Sequence, residues 1–249
     1  MRIDKYLSEK GLAKSRSYAA ILISEKSVYC NGKLVLKPSF EVTDADKVEI
    51  RGQKLLYVSR GGLKLEGALN AFKIDVRDMV CADIGASTGG FTDCLLQRGA
   101  KRVYAIDTGS SQLHESLRKD PRVISMENRN VRYMHTTDLP ETCDLAVCDV
   151  SFISQTLLHQ NIASFLKEGG LFITLIKPQF ECGRQGLGKN GLVKNDTIRA
   201  NACERVIQSA SIHRFTLIGM TDSPIEGGDG NKEFLACFRY LSTPETQEN

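Results

Sequence analysis

Asp149 and Lys177 each end an apolar, strand-like run, Lys64 lies upstream of both, and Glu233 stands on the last such run of the chain. Lysines and carboxylates in that arrangement suit a weakly acidic hydroxyl. A lysine helps such an oxygen lose its proton when its own ammonium is destabilised, or when its position fixes the developing alkoxide. Two carboxylates keep the lysines oriented and limit the total charge. An exocyclic base amine would be served by an Asn-Pro-Pro-Tyr or Asp-Pro-Pro-Tyr tetrapeptide after the fourth strand, where this chain has Cys148-Asp149-Val150-Ser151-Phe152. A cysteine nucleophile acting on a base needs a Pro-Cys context, and no such dipeptide occurs. Singly, each of the four residues has a plain alternative, an exposed lysine before a proline or an ion pair at a sheet edge. Their coincidence at strand ends favours chemistry.

The first strand-like run of the large domain leads into Asp83-Ile84-Gly85-Ala86-Ser87-Thr88-Gly89-Gly90-Phe91-Thr92. Glycines at that junction let backbone amides approach a ligand at the carboxyl edge of a sheet. Their spacing is G-x3-G-G, not G-x-G-x2-G, which argues against a pyrophosphate and for a cofactor without phosphates. Asp107, at the end of the second run, lies 22 residues beyond Gly85, where an acid can accept hydrogen bonds from ribose hydroxyls. Together these features read as a site for S-adenosylmethionine. The expected cofactor contacts are Gly85, Ser87, Thr88, Gly89, Gly90, Phe91, Asp107, Asn130 and Asp149. Asn130 could reach an adenine or simply make a surface turn, and Phe91 fits packing against the glycines. Methyl transfer from a sulfonium is an in-line displacement, so such a site must align donor and acceptor and manage one proton.

The elements that must hold these residues follow from the apolar pattern. Runs at Met79 to Ala86, Arg102 to Asp107, Val123 to Met126, Leu145 to Val150 and Leu171 to Ile176 alternate with helical patterns, which indicates a mainly parallel sheet in a three-layer α/β domain. Phe215 to Met220 and Phe234 to Tyr240 have no helix between them, so they should pair antiparallel. The expected fold class is α/β, a Rossmann-like methyltransferase with a seven-stranded sheet closed by a terminal antiparallel hairpin.

Ahead of it, Arg2 to Glu25 fits two short helices broken at Gly11, with Ser15 a plausible N-cap for the second. Val28-Tyr29-Cys30, Asn31-Gly32 and Leu34-Val35 read as strand, tight turn and strand, and Val42 with Val48-Glu49-Ile50 adds another. This small α+β unit is basic. The net charge of +3 over 249 residues resolves into 12 Lys/Arg against 7 Asp/Glu in residues 1 to 60, and 21 against 23 in the rest. All the positive excess sits in the first quarter, with Arg2, Lys5, Lys14, Arg16 and Lys26 on or between the helices, where they can pair with successive backbone phosphates. The expected division is 1–50 for this module, 51–60 for a short polar linker, 61–242 for the methyltransferase domain and 243–249 for a polar tail. Eight scattered cysteines without a CxxC pair point to reduced thiols and no zinc site, and no apolar run reaches the ~18 residues that span a bilayer. The opening residues lack a signal peptide's apolar segment, so the cytoplasm is the expected location.

Two resemblances add to this. The pattern R-I-D-K-Y-L-x6-S-R-S-x-A-x2-L-I, V-x-C-N-G-K-x4-K-P-S and D-K-V-E-I resembles the S4 RNA-binding domain, which implies structured RNA, rRNA or tRNA, as partner. With Tyr57-Val58-Ser59-Arg60-Gly61-Gly62-Leu63-Lys64-Leu65, the glycine loop, Cys148 to Ser154 and Lys177-Pro178-Gln179-Phe180-Glu181, the chain resembles the TlyA or haemolysin A family, which is similar to FtsJ-type rRNA methyltransferases. That resemblance implies 2′-O-methylation of a cytidine in rRNA within a ribosomal subunit, with no metal and no membrane. It implies Lys177 activating the hydroxyl, Asp149 orienting it, and Lys64 with Glu233 completing a Lys-Asp-Lys-Glu tetrad. Glu226 competes for the last place, but the Asn231-Lys232-Glu233-Phe234 context favours Glu233. Starting almost at Arg2-Ile3-Asp4, the chain resembles the shorter family type, which implies the large subunit alone. The Gly183 to Lys194 loop, with Arg184, Lys189 and Lys194, fits a clamp on RNA as well as it fits a solvated loop. The alternatives are a membrane-lytic protein, as the family's second name suggests, and an RNA-binding assembly factor without catalysis.

Overall fold

The computed structural model describes residues 1–13, 16–24, 26–51, 56–227 and 230–241. Lys14, the Ser15 cap, part of the linker and the polar tail lie outside the described residues. The chain divides into two compact units, Met1–Arg60 and Gly61–Asn249.

In the first unit, helices α1 (Ile3–Glu9) and α2 (Arg16–Ser24) precede strands β1 (Val28–Cys30), β2 (Lys33–Leu34) and β3 (Val48–Ile50). The sheet is antiparallel in the order β2-β1-β3. Asn31 and Gly32, at φ 49° and 77°, supply the positive angles of the tight turn. Ile3, Leu7, Ala19, Leu22, Val28 and Val35 fill the core between helices and sheet. Val42 departs from expectation, because it is buried but belongs to no strand. Its N–H donates to the Met1 carbonyl, and the neighbouring Glu41 bridges Arg2, so this segment seals the start of α1 instead of extending β3.

The second unit runs α3 (Gly61–Ala71), β4 (Val80–Ile84), α4 (Gly90–Gln97), β5 (Arg102–Ile106), α5 (Glu115–Arg118), β6 (Val123–Met126) and β7 (Cys143–Cys148). It continues with α6 (His159–Phe165), β8 (Leu166–Ile176), α7 (Pro178–Glu181), α8 (Asp196–Ile212), β9 (Phe215–Asp222) and β10 (Phe234–Tyr240). The seven strands lie in the order β6-β5-β4-β7-β8-β10-β9. The first five pair in parallel, and β10 pairs antiparallel with both β8 and β9. This is the expected parallel sheet closed by a hairpin. Every residue of β4 is buried, and its run is apolar apart from Asp83. Phe172 and Phe215 pack against the fully buried His159, and Phe238 stacks on Phe172. Burial, with His213 nearby, pushes the His159 pKa down to about 4. All eight cysteines are free thiols, and no helix among the described residues is long and apolar enough to cross a membrane.

Candidate active site

The chain leaves β4 through a turn that needs glycine. Gly85 has φ 82°, and its N–H and that of Ala86 bond to the Ile106 carbonyl at 2.9 and 3.1 Å, tying the loop to the end of β5. A Cβ on Gly85 would lie 2.5 Å from the Asp149 carbonyl oxygen, so a side chain is excluded by space as well as by angle. Asp107 is held in place from both sides. Its Oδ2 accepts from the Ser87 amide at 2.8 Å and its Oδ1 from the Gly109 amide at 2.7 Å. Asn130 caps a short turn, accepting from the Arg132 amide at 3.0 Å. These strand ends surround a cavity of about 510 Å³, lined by Gly85, Ser87, Asp107, Asn130 and Asp149 among others. Thr88, Gly89, Gly90 and Phe91 stand outside its lining. Gly89 instead starts α4 at φ 95°, against the Leu117 side chain, and Phe91 is buried within α4.

Phe152 also lines the cavity, and sequence reasoning missed it. Its ring is 91% exposed, rests against Phe180 at 5.1 Å between centroids, and its backbone takes φ 64°. A positive φ on a bulky residue is a strained conformation that the surroundings must enforce. Nothing in the order of residues signals it. Below the cavity, Asp83 is fully buried in β4, with Oδ2 accepting from Thr92 Oγ1 at 2.6 Å and Oδ1 unpartnered. Burial raises its pKa to about 7, and the carboxylates of Asp149 and Asp107 add to the rise.

The structure joins the four candidate catalytic residues as two ion pairs. Lys177, between β8 and α7, places Nζ 2.5 Å from Asp149 Oδ1 and donates to Ser151 Oγ at 2.8 Å. Asp149 and Ser151 both line the cavity, so this pair sits on its rim. Lys64, in the first turn of α3, donates to Glu233 Oε2 at 2.6 Å, with both side chains largely buried. Glu233 lies just before β10 and not on the strand, while Glu226 is exposed.

Segment 183–194 folds into two short turns closed by a bridge between Leu187 and Val193. Asn231, buried two residues before Glu233, accepts from the Val193 amide at 3.0 Å and donates to the Gly191 carbonyl at 3.2 Å. In the first unit Arg2, Lys5, Arg16 and Lys26 are all exposed. Arg2 and Arg16 share the carboxylate of Asp4, and Lys5 pairs with Glu9 at 3.5 Å.

Residues 57–240 match the FtsJ-like methyltransferase family, and residues 1–48 match the S4 domain. Hemolysin A of Brachyspira hyodysenteriae is 42% identical over 242 residues, covering 96% of this chain and 99% of that protein. The 16S/23S rRNA (cytidine-2′-O)-methyltransferase TlyA of Mycobacterium tuberculosis is 38% identical over 239 residues, covering 96% of this chain and 89% of its own. A solved structure from Streptococcus thermophilus, provisionally named a hemolysin, superposes with a TM-score of 0.78 at 44% identity, covering 98% of this chain and 90% of that one. The glycine turn, the sheet order with its closing hairpin and these likenesses agree, and the chain belongs to the FtsJ-like methyltransferase family, with an S4 domain at its N-terminus.

Proposed function

We propose that this chain transfers a methyl group from S-adenosylmethionine to the 2′-hydroxyl of a cytidine in ribosomal RNA. The observation that carries the proposal is Lys177 Nζ, fixed between Asp149 and Ser151 on the rim of the glycine-lined cavity. The cavity suits the cofactor. Its ~510 Å³ falls in the range of about 300–1,000 Å³ typical of ligand pockets, and the space at Gly85 is one that a Cβ would fill. Asp107 keeps lone pairs for ribose hydroxyls, Asn130 stands at the adenine side, and Ile84, Ile106, Val131 and Leu158 supply apolar walls. When bound, the cofactor supplies an electrophilic methyl group.

The protein's own residues then do the positioning. As the acceptor oxygen attacks, its proton must leave, and Lys177, having first released one ammonium proton to solvent, takes it up on Nζ as a neutral amine. Asp149 Oδ1, 2.5 Å away, holds the resulting ammonium. Lys64 and Glu233 complete the tetrad and carry no net charge into a largely buried corner. Phe152 offers an exposed ring on which the target base can stack. The positive residues Arg2, Lys5, Lys14, Arg16 and Lys26 grip the rRNA backbone. In functional terms the chain reads as an RNA-binding module over 1–50, a linker over 51–60, a methyltransferase domain over 61–242 and a tail over 243–249, working on ribosomal subunits in the cytoplasm. The relative named for 16S and 23S rRNA makes both subunits worth testing.

The test is to incubate the protein with methyl-labelled S-adenosylmethionine and separated ribosomal subunits from cells lacking this enzyme. Label in the rRNA of either subunit is expected. No label, or labelling by Lys177→Ala equal to that of the unaltered protein, would refute the mechanism.

A further inference from the structure

Asp4 is an acid in the most basic part of the chain, and it is buried. Its side chain is 7% exposed, whereas those of Arg2 and Arg16 are 52% and 57% exposed. Four donors converge on its carboxylate. Oδ1 accepts from the Lys5 amide at 2.9 Å and from Arg2 Nε at 3.1 Å. Oδ2 accepts from Arg2 Nη2 at 3.2 Å and from Arg16 Nη2 at 2.9 Å. Burial alone would raise the Asp4 pKa, but the bonds from Arg16, Arg2 and the Lys5 amide outweigh it and bring it down to about 2.

One guanidinium would neutralise this carboxylate. The second leaves a surplus positive charge, and the surplus faces solvent. A guanidinium carries five N–H donors, so Arg2 retains three and Arg16 four beyond those given to Asp4. Holding both side chains in place before a ligand arrives removes much of the ordering cost of two long, flexible groups. Two preset planar forks, one from the start of α1 and one from the start of α2, match the oxygens of phosphate.

We propose that Asp4 is a positioning residue that builds, from Arg2 and Arg16, a binding site for an RNA backbone phosphate. This rests on the proposal that the N-terminal module binds RNA. It goes beyond a list of basic residues, because it gives an acidic side chain a favourable role in binding a polyanion. Counting charge alone, removing a carboxylate from that surface should tighten RNA binding. The geometry requires the opposite.

The experiment measures binding of the full-length protein to a labelled ribosomal RNA transcript across a salt series. Asp4→Asn is expected to weaken binding about tenfold and to make the plot of log K against log salt shallower by about 0.9 for each phosphate no longer neutralised. Arg2→Ala/Arg16→Ala should do the same, and Arg2→Lys/Arg16→Lys, which keeps the charge and loses the fork, should fall between. Adding Asp4→Asn to the Arg2→Ala/Arg16→Ala variant should then change nothing further. Unchanged or tighter binding by Asp4→Asn overturns the proposal, as does an Asp4→Asn effect of undiminished size in the double-alanine background, which would mark a merely structural role. Lys5→Ala/Lys26→Ala separates the two levels. If it weakens binding while Asp4→Asn does not, the phosphate site alone is wrong; if neither it nor Arg2→Ala/Arg16→Ala has an effect, the module does not bind this RNA.

Discussion

Replacing Asp83 by asparagine should change how stability depends on pH more than how stable the protein is at any one pH. The carboxyl is fully buried in β4, with one oxygen bonded to Thr92 and the other unpartnered. Its pKa is raised from 3.8 to about 7 in the folded chain. A raised carboxyl pKa favours folding fully below pH 3.8, and the benefit is lost as pH rises through about 7, because the unfolded chain ionises freely while the folded one resists. At about 1.36 kcal/mol for each pH unit, the cost to folding is about 2 kcal/mol at pH 5 and about 4 kcal/mol at pH 8. Relative to Asp83→Asn, the unaltered protein should therefore lose on the order of 2 kcal/mol of stability between those pH values. Asparagine brings its own penalty, an unbonded buried amide, but that penalty is the same at both. Urea unfolding followed by circular dichroism at pH 5, 6, 7 and 8 gives the difference directly. Two stability curves that run parallel from pH 5 to 8 would show that Asp83 titrates as an ordinary carboxylate and that the burial described for it is wrong.

Three further outcomes can be checked. Gly85→Ala should raise the dissociation constant for S-adenosylmethionine at least tenfold in calorimetry, since its Cβ would lie 2.5 Å from the Asp149 carbonyl and its φ is 82°. Phe152→Ala should raise KM for rRNA about tenfold, the loss of one base stack, while moving cofactor affinity far less. His159→Gln should flatten the acid limb of the stability curve. The depressed histidine pKa penalises folding as pH drops below 6.5, reaching about 3 kcal/mol near pH 4, and urea titrations at pH 7 and 4.5 should show that penalty only with histidine present.

Most of the sheet could be read from the chain because strands buried on both faces, such as Val103–Ile106 of β5, appear as uninterrupted apolar runs. The turn at Asn31-Gly32 was equally legible, since its positive φ angles are a local property of those residues. Features set by distant contacts were not. Val42 has the side chain of a strand residue, yet its amide bonds to Met1 and it joins no strand. Phe152 takes its left-handed backbone from the fit of the loop after β7, which no spacing rule encodes. Lys64 and Glu233 meet across 169 positions, and only resemblance to a family paired them in advance. Within the glycine loop, neighbours in sequence part company in space. A run of consecutive residues suggests that all of them face a ligand, whereas the turn directs Gly85 and Ser87 to the cavity and Gly89 and Phe91 to helix packing.

The most direct test of the chemistry is the identity of the methylated nucleoside. Ribosomal RNA labelled by the unaltered protein and by Lys177→Ala should be digested to nucleosides and resolved by mass spectrometry. The expected result is label in 2′-O-methylcytidine with the unaltered protein, and a rate about 10²- to 10⁴-fold lower with Lys177→Ala, the range that loss of a general base produces. Label on a base instead of a ribose, or in no nucleoside at all, would contradict the role assigned to Lys177 and Asp149.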